Sequence, residues 1–336
     1  MDKGVAACSY TGLGHRRRHA GNEDAYVQFS LRGYEVMAVF DGISSHPGGA
    51  VASGLCAGVV RDVLEANLGR MSVKDAILSA VMAAHGELSR QQAEKPGLGK
   101  MGCTATLLCI DREGRTASVY SMGDSAAFRI RGRKIMKLTV DDSYCGEALD
   151  TGKMTPREAR GFPDGFSLRQ WMGRPGSGAP SGRFATWALL PGDEYLVCTD
   201  GLHAYLSRKR IRRIVKAGSG GREIVQQLYD TAILKGRSIH GERDMDDVTI
   251  LYYHHPTPKG GGRPWKGLVA LALLPVLLIG AYMAGVRKGR AIIPSPVRMP
   301  DGPASVSMAP DKQVRDTAII VESLRNTVHE TQTDTH

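Results

Sequence analysis

The chain has 336 residues, 42% of them hydrophobic and 23% charged, enough for one sizeable core with additional segments or for two domains. Its formal net charge of +10 suggests an anionic partner. The excess, however, is scattered over residues 16–18, 129–137, 208–213 and the flanks of an apolar segment near 266, with little aromatic interleaving for base stacking, so nucleic-acid binding is not expected. The six cysteines (Cys8, Cys56, Cys103, Cys109, Cys145, Cys198) contain no CxxC pair and lie mostly in apolar runs, which speaks for buried reduced thiols.

Residues 4–14 read as a strand that turns at Gly12 and Gly14, and a second strand is predicted over 25–30. After Gly33, Val36 to Phe40 form an unbroken apolar run into Asp41-Gly42. Such a run bounded by turn residues predicts a buried strand. An aspartate at its end cannot stay ionised and unpaired, because desolvating a lone carboxylate is costly. It needs a cation or a donor network, and the following glycine lets backbone or ligand approach. The pattern recurs at 195–201 (YLVCTDG) and 118–124 (SVYSMGD). Three buried strands ending in aspartate point to a metal site.

Helical spacing of small and apolar residues predicts helices over 50–68 and 73–93, the second with Ala76, Ile77, Ala80, Val81 and Ala84 on one face. Strands follow at 103–110, 116–122, 126–131 and 134–139, with short turns that suggest antiparallel connections. Residues 141–182 are polar and rich in Gly and Pro, with one short helix at 155–160 that Thr155 can cap and Pro156 can open. Strands at 184–190 and 195–200, a helical stretch over 207–234 and a last strand at 248–254 complete an α+β domain of residues 1–255, with two packed antiparallel sheets and helices outside.

A linker over 256–266 leads to 267–286, 20 residues without a charge. At about 1.5 Å per residue this stretch spans the roughly 30 Å hydrocarbon core as one transmembrane helix. Trp265 and Tyr282 suit its interfaces, and Pro275 is tolerable within it. Basic residues on both sides leave orientation undecided by charge, but the unpaired thiols and the lack of a signal-peptide pattern favour a cytoplasmic domain on the inner membrane. Residues 287–336 are polar and expected to be disordered.

Carboxylates gather at predicted strand ends: Glu23-Asp24, Asp41, Asp124, Asp200 and Asp246-Asp247. Oxygen-only ligation without a His/Cys set suits Mg²⁺ or Mn²⁺. Two such ions sharing a carboxylate acidify a water and clamp a phosphoryl oxygen, which points to metal-assisted phosphoester hydrolysis.

The motifs Asn22-Glu23-Asp24-Ala25, Asp41-Gly42 with His46 and Gly48-Gly49, Met101-Gly102-Cys103-Thr104 and Met122-Gly123-Asp124-Ser125 stand in order along the chain. Leu138-Thr139 with Ser143, Pro191-Gly192-Asp193, Thr199-Asp200-Gly201-Leu202 and Asp246-Asp247-Val248-Thr249 follow them. Together they resemble the bacterial branch of the metal-dependent PP2C family of Ser/Thr protein phosphatases over residues 4–255. The resemblance implies a β-sandwich flanked by helices, with two Mn²⁺ or Mg²⁺ ions at one end and a water between them as nucleophile. It implies that Asp41 bridges the ions, that the Gly42 carbonyl, Asp200 and Asp246 bind them, and that Glu23 and Asp24 act through metal-bound waters. Asp124 corresponds to a third, weaker metal position, and residues 141–182 to a mobile flap. Phosphorylated proteins, the products of a bacterial Ser/Thr kinase, are the implied partners.

Three departures concern the rim. The phosphate-gripping arginine usual in the family is replaced by His19, with Arg18 beside it. The usual Gly-Gly is Ser44-Ser45, and Asp247 stands for the common Asn. They raise the alternative of a catalytically weak PP2C-like domain that binds phosphoproteins or regulates a partner at the membrane, and a third reading places the function in the tail. The complete acidic set favours the enzyme.

Overall fold

The structure, a computed structural model, describes residues 11–12, 21–159, 161–162, 164–176, 178–240 and 245–257. Among these residues ten strands form two antiparallel five-stranded sheets. The first contains β2 (Asp24–Leu31), β3 (Tyr34–Asp41), β4 (Ala105–Asp111), β5 (Thr116–Met122) and β8 (Arg183–Ala188), in that spatial order. The second, in the order β1-β10-β9-β6-β7, contains β1 (Thr11–Gly12), β6 (Ala126–Arg131), β7 (Lys134–Lys137), β9 (Glu194–Cys198) and β10 (Val248–His254).

The run from Val36 to Phe40 is apolar throughout because both of its faces are covered. Val36, Ala38 and Phe40 pack with Ala52, Val60 and Leu64 of α1 (Gly49–Asn67) and Ile77 and Val81 of α2 (Val73–Glu94). Met37 and Val39 point the other way, into the space between the sheets, where they meet Leu108, Val119, Tyr195, Val197, Leu251 and Tyr253. A strand buried on both faces has no solvent side to call for polar residues. β9 and β10 repeat the arrangement, with Leu196, Ile250 and Tyr252 turned outward onto a second helical layer. That layer is α5 (Asp200–His203), α6 (Arg208–Ala217) and α7 (Gly221–His240), the last two supplying Ile211, Val215, Ile224 and Leu228.

Local chemistry sets the helix starts. Ser72 Oγ accepts the Asp75 N–H at 3.1 Å and caps α2, whose predicted inner positions Ala76, Ile77, Ala80, Val81 and Ala84 are all buried. In α4 (Pro156–Ala159) the Thr155 N–H donates to Glu158 Oε2 at 2.7 Å, and the Glu158 N–H returns to Thr155 Oγ1 at 3.4 Å, a reciprocal cap.

Two predicted stretches are more structured than the pattern suggested. The single helical stretch over 207–234 is two helices, separated at 218–220 by Gly-Ser-Gly. A β-carbon on Gly218 would lie 2.4 Å from Ile224 Cγ1, so α7 can fold back closely only here. Residues 141–182 contain α3 (Tyr144–Asp150), capped by Ser143 Oγ accepting the Gly146 N–H at 3.1 Å. They are also pinned at Met172, which is fully buried in the α1–α2 core and exchanges two backbone hydrogen bonds with Cys103, at 2.8 and 3.3 Å.

Both helical layers and every described strand lie within Met1–Gly261, a compact unit with its own closed cores, which therefore folds on its own. The five described cysteines are buried and free. No helix among the described residues is long and apolar enough to cross a membrane. The predicted span 267–286, most of the linker, the tail and most of the strand at 4–14 lie outside the described residues.

Because Phe40 is fully buried between the first sheet and α1, Phe40→Ala is expected to cost about 3–5 kcal/mol. A matching drop in the urea midpoint at unchanged m-value checks this.

Candidate metal centre

The antiparallel topology brings five carboxylates to one end of the sandwich. β3 runs out at Asp41, β5 at Met122 just before Asp124, and β9 at Cys198 just before Asp200, while β2 begins at Asp24 and β10 follows Asp246. Asp24 and Asp41 are register partners across β2 and β3. Asp41, Asp124, Asp200 and Asp246 line one cavity of about 410 Å³. Ser44, Ser45 and His46 form one part of its rim, and Phe166, Leu168 and Trp171 from the 141–182 segment form another.

Short side chains hold the backbone around Asp41. The Thr104 N–H donates to the Asp41 carbonyl at 2.8 Å, the Asp41 N–H donates to Thr104 Oγ1 at 3.0 Å, and that hydroxyl lies 2.7 Å from Ser125 Oγ. Gly42 permits a close three-way approach: a β-carbon there would sit 2.5 Å from the Gly49 carbonyl carbon and 2.6 Å from the Glu23 carbonyl oxygen. At Gly201 the same atom would fall 2.0 Å from the Asp247 carbonyl oxygen. The glycines following Asp41 and Asp200 are thus required by neighbouring backbone.

Glu23 and Asp24 stand behind the cavity wall. The Glu23 N–H donates to Asp247 Oδ2 at 2.8 Å, and its carbonyl accepts from Gly42 N at 3.1 Å and Ser53 Oγ at 2.6 Å. Asp24 Oδ2 accepts from Thr199 Oγ1 at 2.9 Å and Thr249 Oγ1 at 2.7 Å, while Oδ1 is buried without a hydrogen-bond partner. His203 Nε2 donates to the Asp124 carbonyl at 3.0 Å. Burial, and then nearby Lys137, hold this imidazole neutral by pushing its pKa down to about 3.

Crowding of acids dominates the electrostatics. Burial, reinforced by Asp24, Asp200, Asp246 and Asp124, raises Asp41 well above the ordinary carboxylate range. Burial lifts Asp24 to about 8 against the stabilising Thr249 bond, and lifts Asp124 to about 7 with further repulsion from Asp141. No lysine or arginine is among the described residues lining the cavity. These features fit a hard dication: the donors are oxygens, their repulsion calls for positive charge, and Asp24 Oδ1 is a buried acceptor without a donor. Among the described residues no three His, Cys, Asp or Glu side chains are drawn together into a ready-made cage. Mg²⁺-type sites keep several waters in place of protein ligands, so they do not need such a cage.

The structure therefore gathers Asp41, Gly42, Asp124, Asp200 and Asp246 at one cavity and sets Glu23 and Asp24 behind it, while Arg18 and His19 lie outside the described residues. Sequence reasoning missed Trp171 and gave no role to Thr104, Thr199 and Thr249, which stand in its motifs. Thr199 and Thr249 lie in strands already read from the pattern, but the carboxylate they serve belongs to the other sheet.

A family model described as protein phosphatase 2C matches residues 11–228. The serine/threonine protein phosphatase PstP of Mycobacterium tuberculosis is 28% identical over 193 residues, 57% of this chain and 35% of that relative, so the match spans about a third of its length. Protein phosphatase PhpP of Streptococcus pneumoniae is 28% identical over 215 residues, 61% of this chain and 82% of the relative. A solved structure of the catalytic domain of PstP in complex with two manganese ions superposes with a TM-score of 0.59 at 22% identity, covering 74% of this chain and 98% of that one, a likeness of fold.

A carboxyl whose pKa is raised by folding binds its proton more tightly in the native state, so the native state loses ground as pH rises from about 4 through about 8. Chelator-treated protein is expected to melt several degrees lower at about pH 8 than at about pH 5, at roughly 2–4 °C per kcal/mol. Added Mn²⁺ is expected to raise the midpoint more at the higher pH; a pH-independent midpoint in chelator would refute the acidic cluster as the source.

Proposed function

Because the chain belongs to the protein phosphatase 2C family, we propose that its residues 1–255 hydrolyse phosphoserine and phosphothreonine in proteins, using two Mn²⁺ or Mg²⁺ ions and a third, weaker one. The observation that carries this reading is the cavity lined by Asp41, Asp124, Asp200 and Asp246, whose carboxyls repel one another. When bound, the ions supply Lewis acidity and an acidified water as nucleophile.

The chain's own residues do the rest. Asp41, repelled by Asp24, Asp200, Asp246 and Asp124, would hold the two ions together with the Gly42 carbonyl, Asp200 and Asp246, and Asp124 would hold the third. Glu23 and Asp24 order water behind Asp41, with Thr199 and Thr249 fixing the Asp24 carboxyl. The hydroxyls of Ser44 and Ser45 border the cavity and receive the phosphate together with His19 and Arg18. The substrates are phosphoproteins made by a Ser/Thr kinase.

We further propose that 267–286 anchors the chain in the cell membrane with the catalytic domain in the cytoplasm. Its uncharged length and the flanking Trp265 support the reading. In intact cells a Ser305→Cys variant is expected to react with a membrane-impermeant maleimide; protection until the cells are broken would reverse the orientation.

The full chain in detergent is expected to hydrolyse p-nitrophenyl phosphate and a phosphothreonine peptide in Mn²⁺, with Asp41→Asn slower by on the order of 10³-fold. Equal, negligible rates for both proteins would overturn the enzyme. If tight phosphopeptide binding persisted, the regulatory reading would replace it.

A further inference from the structure

The basic helix α6 is not explained by the catalytic site. Its ten residues, RKRIRRIVKA, include six cations and no acid. Ile211, Ile214 and Val215 are buried and define the inner side, while Lys209, Arg210 and Arg213 are exposed and Arg212 is half-buried at the margin. The two ends are neutralised within the fold: Arg208 Nη2 meets Asp150 Oδ1 at 2.7 Å, and Lys216 pairs with Glu194. Lys209, Arg210, Arg212 and Arg213 make no ion pair with the described residues.

This placement is unfavourable for an isolated helix. The positive end of the helix dipole favours anions, yet the first turn carries Arg208, Lys209 and Arg210 and no acid. Lys209 faces Arg212 and Arg213, and Arg210 faces Arg213, like charges at three- and four-residue spacing that repel. The arginines of α1 and α2 are handled differently: Arg61 pairs with Glu65 at 2.9 Å, and Arg90 pairs with both Glu87 and Glu94. α6 packs beside the edge strand β7, whose turn adds exposed Arg133 and Lys134.

We propose that the outward face of α6, with the β6–β7 turn, is a docking surface for anionic lipid headgroups that lays the catalytic domain against the membrane. The proposal rests on the reading of 267–286 as a membrane span. Described chain ends at Thr257, leaving nine residues, 258–266, before that span. At most about 3.3–3.6 Å each, they reach roughly 30 Å, so the domain never leaves the vicinity of the bilayer. A tether this short gives a millimolar effective concentration, at which a weak surface suffices. Each basic residue near an anionic leaflet contributes about fivefold to partitioning. Arg208 also borders a cavity of about 630 Å³ that shares Asp124 and Asp200 with the metal centre, so docking through α6 favours substrates close to the membrane.

The test uses the self-contained unit 1–261, so that insertion of 267–286 does not enter. Sedimentation with vesicles of phosphatidylcholine containing about one-third phosphatidylglycerol is compared with pure phosphatidylcholine vesicles. Wild type is expected to bind the anionic vesicles only, and to be released by about 1 M salt. The variant K209E/R210E/R212E/R213E is expected to bind at least about 50-fold more weakly, with p-nitrophenyl phosphate hydrolysis and melting temperature retained. A charge-matched control, R70E/K74E/K95E/K100E on the opposite helical layer, is expected to keep most of the binding. Equal loss in both variants would assign the effect to net charge and overturn the proposal, as would wild type that ignores anionic vesicles while binding a polyglutamate peptide, which marks an acidic protein partner. Carbonate extraction of the full chain from membranes separately tests the span: release into the soluble fraction would refute the anchor whatever the vesicles show.

Discussion

Repulsion among partly buried carboxylates is the constraint around which this molecule is arranged. Asp41 feels Asp24, Asp124, Asp200 and Asp246 in a half-buried setting, and each carboxyl raises the energy of ionising the others. Such a cluster weakens a fold unless the scaffold holds it together and a cation compensates it. The scaffold does so with a sandwich buried on three levels: a helical layer, the space between the sheets, and a second helical layer. The instability is concentrated at one end, where the strands stop.

The same end shows how small residues make the crowding possible. Gly42 and Gly201 let backbones pass within distances that no side chain allows, and without bulk Thr199 and Thr249 supply hydroxyl donors and Thr104 a hydroxyl acceptor. Asp247 braces the Glu23 amide by accepting its N–H, a bond an asparagine oxygen would accept as well. The rim is built by other means. Trp171 borders the cavity while its neighbour Met172 is locked into the α1–α2 core, so the 141–182 segment meets the site from a fixed base.

Charge is partitioned across the unit. Acids converge on the cavity, and several cations are matched to acids: Arg131 to Asp193 at 2.6 Å, Lys137 to Asp150 at 2.6 Å, Arg183 to Asp142. α6 breaks this habit, keeping four cations without a described acid. A formal charge of +10 that looks diffuse in the linear chain thus contains one concentrated patch.

How much of this was legible without coordinates follows from the range of each interaction. Burial on both faces leaves a local signature, so Val36 to Phe40 and the apolar runs of β9 and β10 could be read as covered strands. The Asp-Gly steps at 41–42 and 200–201 are equally local, and they marked the acidic site. The break between α6 and α7 was not legible, since both halves keep helical spacing and only the close packing of Ile224 on Gly218 forces the turn. Nor were the roles of Thr199 and Thr249, which lie 175 and 225 positions from the Asp24 they hold, nor the anchoring of Met172. The amino-acid sequence alone determined which strands are buried, where the carboxylates stand along the chain, and the family they resemble. Only the tertiary structure decided which carboxylates share a cavity and which hydroxyls serve them, because those contacts join distant segments whose approach is set by the packing of two sheets.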